Sequence, residues 1–163
     1  MANDIFCTSY RVWKDNSSVI YEDDVACAIL SITPVTPGQA IIFPRRHVES
    51  FIKLDGDELE GLMHAVPETF EAIQQIYDTD IERIASFYQS LQQNPPFVSA
   101  GTAAEKMLNH LDLRVRPIAY NMGMNDGEAA GQLIKHLHLH LFPRRARSDG
   151  TAKGIVTAMG SIV

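Results

Sequence analysis

Apolar positions recur along this chain with two different periods, and the change from one to the other marks out its elements. Val19 to Tyr21 and Val25 to Ile32 are short runs rich in β-branched and apolar residues, separated by the acidic turn Glu22-Asp23-Asp24, and they predict two strands. Thr33-Pro34-Val35-Thr36-Pro37-Gly38 is a turn cluster in which each proline fixes φ and Gly38 permits a tight reversal. Gln39 to Phe43 predicts a strand that stops at Pro44, and Arg45-Arg46-His47 follows as a basic loop.

The period then lengthens. Leu59, Leu62, Met63, Val66, Phe70 and Ile73 recur at helical spacing behind Asp55-Gly56-Asp57-Glu58, which has the spacing of a capping box. Pro67 lies inside that pattern and cannot donate to the carbonyl of Met63, which predicts a kink or a break. Ile81, Ile84, Tyr88 and Leu91 predict a further helical stretch ended by Asn94-Pro95-Pro96. Thr102 and Glu105 have the spacing of another capping box, opening a helix to about Leu111. Pro117 to Met124 returns to strand, Asn125 to Gln132 is a loop, and Leu133 to Phe142 is a last strand closed by Pro143-Arg144-Arg145. The tail, 146–163, carries weak signals. Strands first, helices in the middle and strands again predict one α+β domain over residues 1–163, with a mostly antiparallel sheet.

The last strand carries the chemistry. His136-Leu137-His138-Leu139-His140-Leu141-Phe142 sets histidine at every second position, so a strand places three imidazoles on one face and three leucines on the other. Three readings compete. The plainest is a pair of polar cross-strand contacts without chemistry, although three rings on one face concentrate a costly polar group. A metal site is the second, since histidine is a common zinc ligand. Geometry counts against it, because His136 and His140 stand roughly 13 Å apart on a straight strand. The third is nucleophilic catalysis on phosphorus. A neutral imidazole, with an ordinary pKa of about 6.5, is nucleophilic near neutral pH, and His138 has a ring on either side to steady phosphate oxygens. The preceding loop supports this third reading: Gly127 and Gly131 let backbone approach a ligand, and Asn125 and Gln132 offer neutral amides.

Composition changes the picture in two ways. A net charge of -6 argues against a nucleic-acid polymer as partner, though not against a small phosphorylated ligand held by local donors. Cys7 and Cys27 are the only cysteines, so no disulfide framework is expected and a reducing compartment fits. The N-terminus lacks the basic start and apolar run of a signal peptide, and no apolar stretch approaches the ~20 residues that cross a bilayer. The expected location is the cytosol, with no membrane partner.

The histidine strand, with the Asn121–Gln132 segment before it and Ile32–Gly38 through Ile42–His47 earlier in the chain, resembles the histidine-triad (HIT) superfamily. The resemblance leaves out roughly residues 74–115 and the tail. It implies a five-stranded antiparallel sheet with helices packed on it, paired as a homodimer. It implies a nucleotide hydrolase or nucleotidyltransferase that cleaves at the α-phosphate of a purine nucleotide derivative, a nucleoside phosphoramidate or a dinucleoside polyphosphate, through a nucleotidyl-histidine intermediate. His138 is then the nucleophile, and His140 and His136 orient it and contact phosphate oxygens. Asn125, Gln132 and Gly131 fall at the phosphate or leaving group. Ile5, Phe6 and Ile32 fall in the base pocket, and Ser31 faces the ribose.

Several positions depart from that pattern. Gln39 stands at a supporting position that is histidine in many members, and Leu133 replaces a hydroxyl residue. Some members hold structural zinc through two N-terminal cysteines; Asp4 stands where Cys7 would have its counterpart, so neither metal nor other cofactor is expected. Residues 77–100 exceed the usual connection and predict a helical insertion, and the resemblance implies that the tail reaches toward the neighbouring site of a dimer. His47 is assigned to a surface loop, and His64 and His110 to helical stretches. The alternative is a nucleotide-binding or interaction module with little turnover, motivated by Gln39 and Leu133.

Overall fold

Strands β1 (Val19–Glu22), β2 (Ala26–Leu30), β3 (Ala40–Pro44), β4 (Ala119–Gly123) and β5 (Leu139–Arg144) form one antiparallel sheet in the order β1-β2-β3-β5-β4. The computed structural model describes residues 4–9, 13–14 and 18–146; apart from Ala146, the tail of the sequence reading lies outside the described residues. The five-stranded antiparallel sheet with helices is the architecture the sequence implies.

The central strands are buried on both faces, which is why β2 and β3 are apolar throughout rather than alternating. Ala26, Ala28, Leu30, Ala40, Ile42, Leu139 and Leu141 point into the larger core, against helix α2 (Gly56–Thr79). Cys27, Ile29, Ile41 and Phe43 point the other way, against Trp13 and the short helix α1 (Ile5–Thr8).

Helix α2 begins with the capping box read from the sequence: Asp55 accepts from the Glu58 amide, and Glu58 accepts from the Asp55 amide. Pro67 does not break it. One lost hydrogen bond and a ring clash cost about 3 kcal/mol, while Leu62, Val66, Ile73 and Ile76 are buried on both sides of the proline and hold the helix to the sheet. Gly61 sets how closely the helix approaches: a Cβ there would lie 2.6 Å from Val25 Cγ1.

Between α2 and β4 run helices α3 (Glu82–Gln93) and α4 (Val98–Leu108). The expected capping box at Thr102 and Glu105 does not form. Helix α4 starts four residues earlier, and the Thr102 hydroxyl donates to the Val98 carbonyl inside it (3.2 Å). The helix also ends sooner, leaving His110 beyond it with Nδ1 accepting from the Asp112 amide (3.1 Å). Tyr88 of α3 is fully buried, and its hydroxyl accepts from the amide of Gly38 (2.9 Å), the positive-φ residue (79°) of the turn before β3. Among the described residues, no helix is long and apolar enough to cross a membrane.

Tyr88→Phe leaves the buried Gly38 amide without its acceptor. The expected result is a loss of about 1–3 kcal/mol in unfolding free energy by urea denaturation, with native circular dichroism retained. An unchanged midpoint would show that α3 does not brace this turn.

Candidate active site

The alternation read from the sequence holds for the side chains but not for the backbone. Leu137, Leu139 and Leu141 lie in the larger core, whereas His136 and His138 pack on the other side against Phe6. Yet β5 begins at Leu139, not at Leu133, and residues 134–136 form a bend. The Leu137 amide leaves the sheet pattern and donates to Val48 O (2.6 Å).

The bend brings the carbonyl of His136 to 2.8 Å from His138 Nδ1. A carbonyl only accepts, so Nδ1 carries the proton and Nε2 keeps its lone pair. Burial lowers the His138 pKa, as does the nearby His136, and the bond to the His136 carbonyl opposes the shift. His140, its ring 5.0 Å from that of His138, is pushed down to about 4 by burial and by its neighbour's charge. Near neutral pH His140 is an uncharged ring, and its Nδ1 is buried with no hydrogen-bond partner among the described residues.

His138 and His140 line a small cavity of about 100 Å³ together with Ile5, Phe6, Ser31 and Ile32. Trp13, Ile29, Thr33, Ile41 and Ile134 complete it. The sequence reading missed these five. The continuous apolar runs of β2 and β3 were the available signal for Ile29 and Ile41, since a strand without a polar face must cover two cores. Phe6 stacks on Phe43 at 4.5 Å, which fixes one wall.

Other expected site residues lie outside that lining. Gln132 holds its own loop: its Oε1 accepts from the Gly127 amide (2.7 Å), and its Nε2 donates to Glu49 O (2.9 Å). Asn125 Nδ2 donates to the carbonyl of Gly131 (3.4 Å), a left-handed residue at φ 87°. This loop leaves β4 at Gly123, which pairs with His140, so it starts beside the histidines. Gln39 is buried, and its Oε1 accepts from the Val35 amide (2.8 Å) within the turn.

His136 departs furthest from expectation. Its ring does not line the cavity, because both nitrogens are engaged elsewhere. Nε2 donates to Pro44 O (2.8 Å), and Nδ1 lies 3.3 Å from Asp4 Oδ1 and 3.6 Å from Cys7 Sγ. His47, expected on a surface loop, joins the same cluster at 2.8 Å from Asp4 Oδ2 and 3.6 Å from Cys7 Sγ.

The model of the HIT domain matches residues 14–147. The chain belongs to the HIT domain family. Among curated relatives of this HIT chain, Protein hit of Bacillus subtilis is 26% identical over 134 residues, covering 82% of this chain and 66% of that protein. An adenylylsulfatase of Arabidopsis thaliana is 25% identical over 88% of this chain and 53% of its own length. A bis(5'-nucleosyl)-tetraphosphatase of Schizosaccharomyces pombe is 22% identical over 79% of this chain and 50% of its own. The HIT chain therefore spans about half to two thirds of these relatives. The crystal structure of a HIT family protein from Bacillus anthracis has a TM-score of 0.56 at 23% identity, covers 98% of this chain and 92% of that one, and shows the shared fold.

Within this HIT fold, the cluster behind the histidines fits a divalent metal ion. Asp4, Cys7, His47 and His136 each offer one donor atom, all within 4.8 Å of one another. Ligands at usual zinc distances form a tetrahedron with edges of about 3.3–3.8 Å, close to the separations here. The bond from His136 Nε2 to Pro44 O points Nδ1 at the cluster, where a bound ion would replace the proton that Nδ1 shares with Asp4. Burial raises the Asp4 carboxyl, but hydrogen bonds from Cys7 and Phe6 and the nearby His136 outweigh it and hold the group below its usual value. Burial and Asp4 push the Cys7 thiol up to about 11; a bound ion would supply the positive charge that holds it as thiolate.

Protein dialysed against zinc and then metal-free buffer is expected to retain one equivalent by elemental analysis. Cys7→Ala or His47→Ala should weaken retention by about tenfold or more. No uptake by the unaltered chain would remove the ligand role.

Proposed function

We propose that this chain is a nucleotide hydrolase or nucleotidyltransferase that attacks the α-phosphorus of a purine nucleotide derivative through Nε2 of His138. The bond between His138 Nδ1 and the His136 carbonyl carries this reading, because it commits the proton to the far nitrogen and leaves the lone pair on the near one. The names of the Arabidopsis and fission-yeast relatives support the substrate class.

In the first step the Nε2 lone pair forms a bond to phosphorus. The bond from phosphorus to the leaving group breaks, and that group departs with the electron pair and takes up a proton from solvent. In the second, a water oxygen displaces the imidazole, its proton goes to solvent, and a nucleoside monophosphate is released. The leaving group is an amine in a nucleoside phosphoramidate and a nucleotide in a dinucleoside polyphosphate. His140, uncharged, has an unengaged Nδ1 and shares the cavity with His138. His136 acts through its backbone, orienting the nucleophile. Ile5, Phe6 and Ile32 hold the base and Ser31 faces the ribose, while Asn125, Gln132 and Gly131 build the loop on the leaving-group side. Gln39 supports the site through the turn, its carbonyl accepting from the Ser31 amide (2.8 Å).

Two observations favour a second reading, a nucleotide-binding module with little turnover. Leu133 is 89% exposed at the position of the missing hydroxyl, and Gln39 is tied to Val35 rather than to a histidine.

The free thiols Cys7 and Cys27 suit a reducing compartment, and the cytosol is the proposed location. The proposed assembly is a homodimer paired across the edge strand β4. Ile118 beside it is 65% exposed, and Tyr120 packs on Phe70 of α2 (4.7 Å) to continue the apolar surface.

His138→Ala is expected to lower turnover of an adenosine phosphoramidate and of a diadenosine polyphosphate by about ten-thousandfold. Adenosine monophosphate binding with no turnover by the unaltered chain would favour the second reading. For the assembly, light scattering should give twice the chain mass, and Ile118→Lys should halve it; a monomeric unaltered protein would remove the dimer.

A further inference from the structure

The nucleoside cavity does not end at its apolar wall. Ile5, Trp13 and Ile32 line it on one side and face a second cavity on the other, of about 210 Å³, roughly twice the volume beside the histidines. The far wall of the second cavity is helix α3. Phe87 and Leu91 are buried there, and Ser90 and Asn94 stand at its exposed rim with no side-chain hydrogen bond among the described residues. Among the described residues, no charged side chain lines it. This is the part of the chain that the proposed chemistry leaves without a task.

We infer that α3 makes the second cavity a specificity subsite for a neutral substituent on the base, apolar along its length and polar at its tip. The inference rests on the nucleotide reading above and extends it to the substrate. With phosphorus held at His138, the ribose leaves from the five-membered ring of a purine. The six-membered ring therefore projects furthest from phosphorus, and the exocyclic group at position 6 extends beyond it. A base lying against Ile5 and Ile32 points that group across the shared wall toward α3. A bare purine leaves the apolar floor to water, which is unfavourable. Size agrees: a dry cavity of about 150 Å³ already accepts a benzene ring. The lining favours this chemistry, since an ionic substituent would meet Phe87, Leu91 and Trp13 with no counter-charge among the described lining residues, whereas a hydroxyl or amide tip meets Ser90 and Asn94.

Calorimetric titration of the full chain with adenosine monophosphate and its N6-benzyl derivative tests this. The derivative is expected to bind about tenfold more tightly. Ser90→Trp fills the cavity from its rim and should bring that ratio to about one, with Asn94→Trp as the second variant if the first does not fold. Equal or weaker binding of the derivative, with the monophosphate bound, overturns the subsite and leaves the proposed function standing. Binding of neither nucleotide overturns both. A ratio that survives in the filled variants also overturns the subsite, because the benzyl group then lies elsewhere.

Discussion

The hydrogen bond from His138 Nδ1 to the carbonyl two residues earlier is the constraint on which the rest of the site depends. In a regular strand a backbone carbonyl points sideways, to a neighbouring strand, and cannot meet the ring that follows it. Here the chain bends at 134–136, the Leu137 amide is taken by Val48, and pairing with the sheet resumes only at Leu139. The bend is in turn held by the ring of His136, whose Nε2 donates to Pro44 at the end of β3. One histidine thus gives up both ring nitrogens so that its carbonyl can fix the tautomer of another.

The same ring reaches the N-terminal segment. Helix α1 has four residues, too few to persist alone, so its position must come from tertiary anchors. Asp4 supplies two kinds at once: Oδ1 caps the amides of Phe6 and Cys7, and both oxygens lie against the histidines of the cluster. Phe6, two residues after Asp4 and one before Cys7, is carried onto Phe43 and the His138 ring. A metal ion held by Asp4, Cys7, His47 and His136 would therefore act on the shape of the cavity beside His138 and His140 without lining it. It would pin the wall that Ile5 and Phe6 form and the bend that aims His138.

Sequence periodicity revealed the parts of this arrangement that depend on which way a side chain faces. The leucines and histidines of 136–141 separate onto opposite sides as a period of two requires, and the Asp55 capping box forms as its spacing suggests. Periodicity does not report whether backbone amides are paired, so the late start of β5 was hidden although it matters most for His138. Nor does it report contacts across the chain. His47 looks like a surface residue next to Arg45 and Arg46, and only the fold brings it to Asp4. Thr102 misled for a local reason. Its hydroxyl fits a cap and a back-bond to the preceding turn equally well, and Phe97, where the helix begins, carries no capping side chain.

Helix α3 ties the turn before β3 to the second cavity. Tyr88 and Leu91 are three residues apart and share a face; the first accepts from Gly38, and the second lines the cavity with Phe87. Gly38 precedes Gln39, whose carbonyl holds the Ser31 amide, and Ser31 lines the cavity beside His138 and His140. A group seated against α3 would therefore be linked to Ser31 through one tyrosine and one turn. A helix attached only by surface contacts could shift to admit a substituent at no consequence to Ser31. A fully buried tyrosine hydroxyl bonded to a left-handed glycine cannot shift without leaving that amide unpaired. Helix α3 thus forms a fixed wall of the second cavity, which shares Ile5, Trp13 and Ile32 with the cavity beside the histidines.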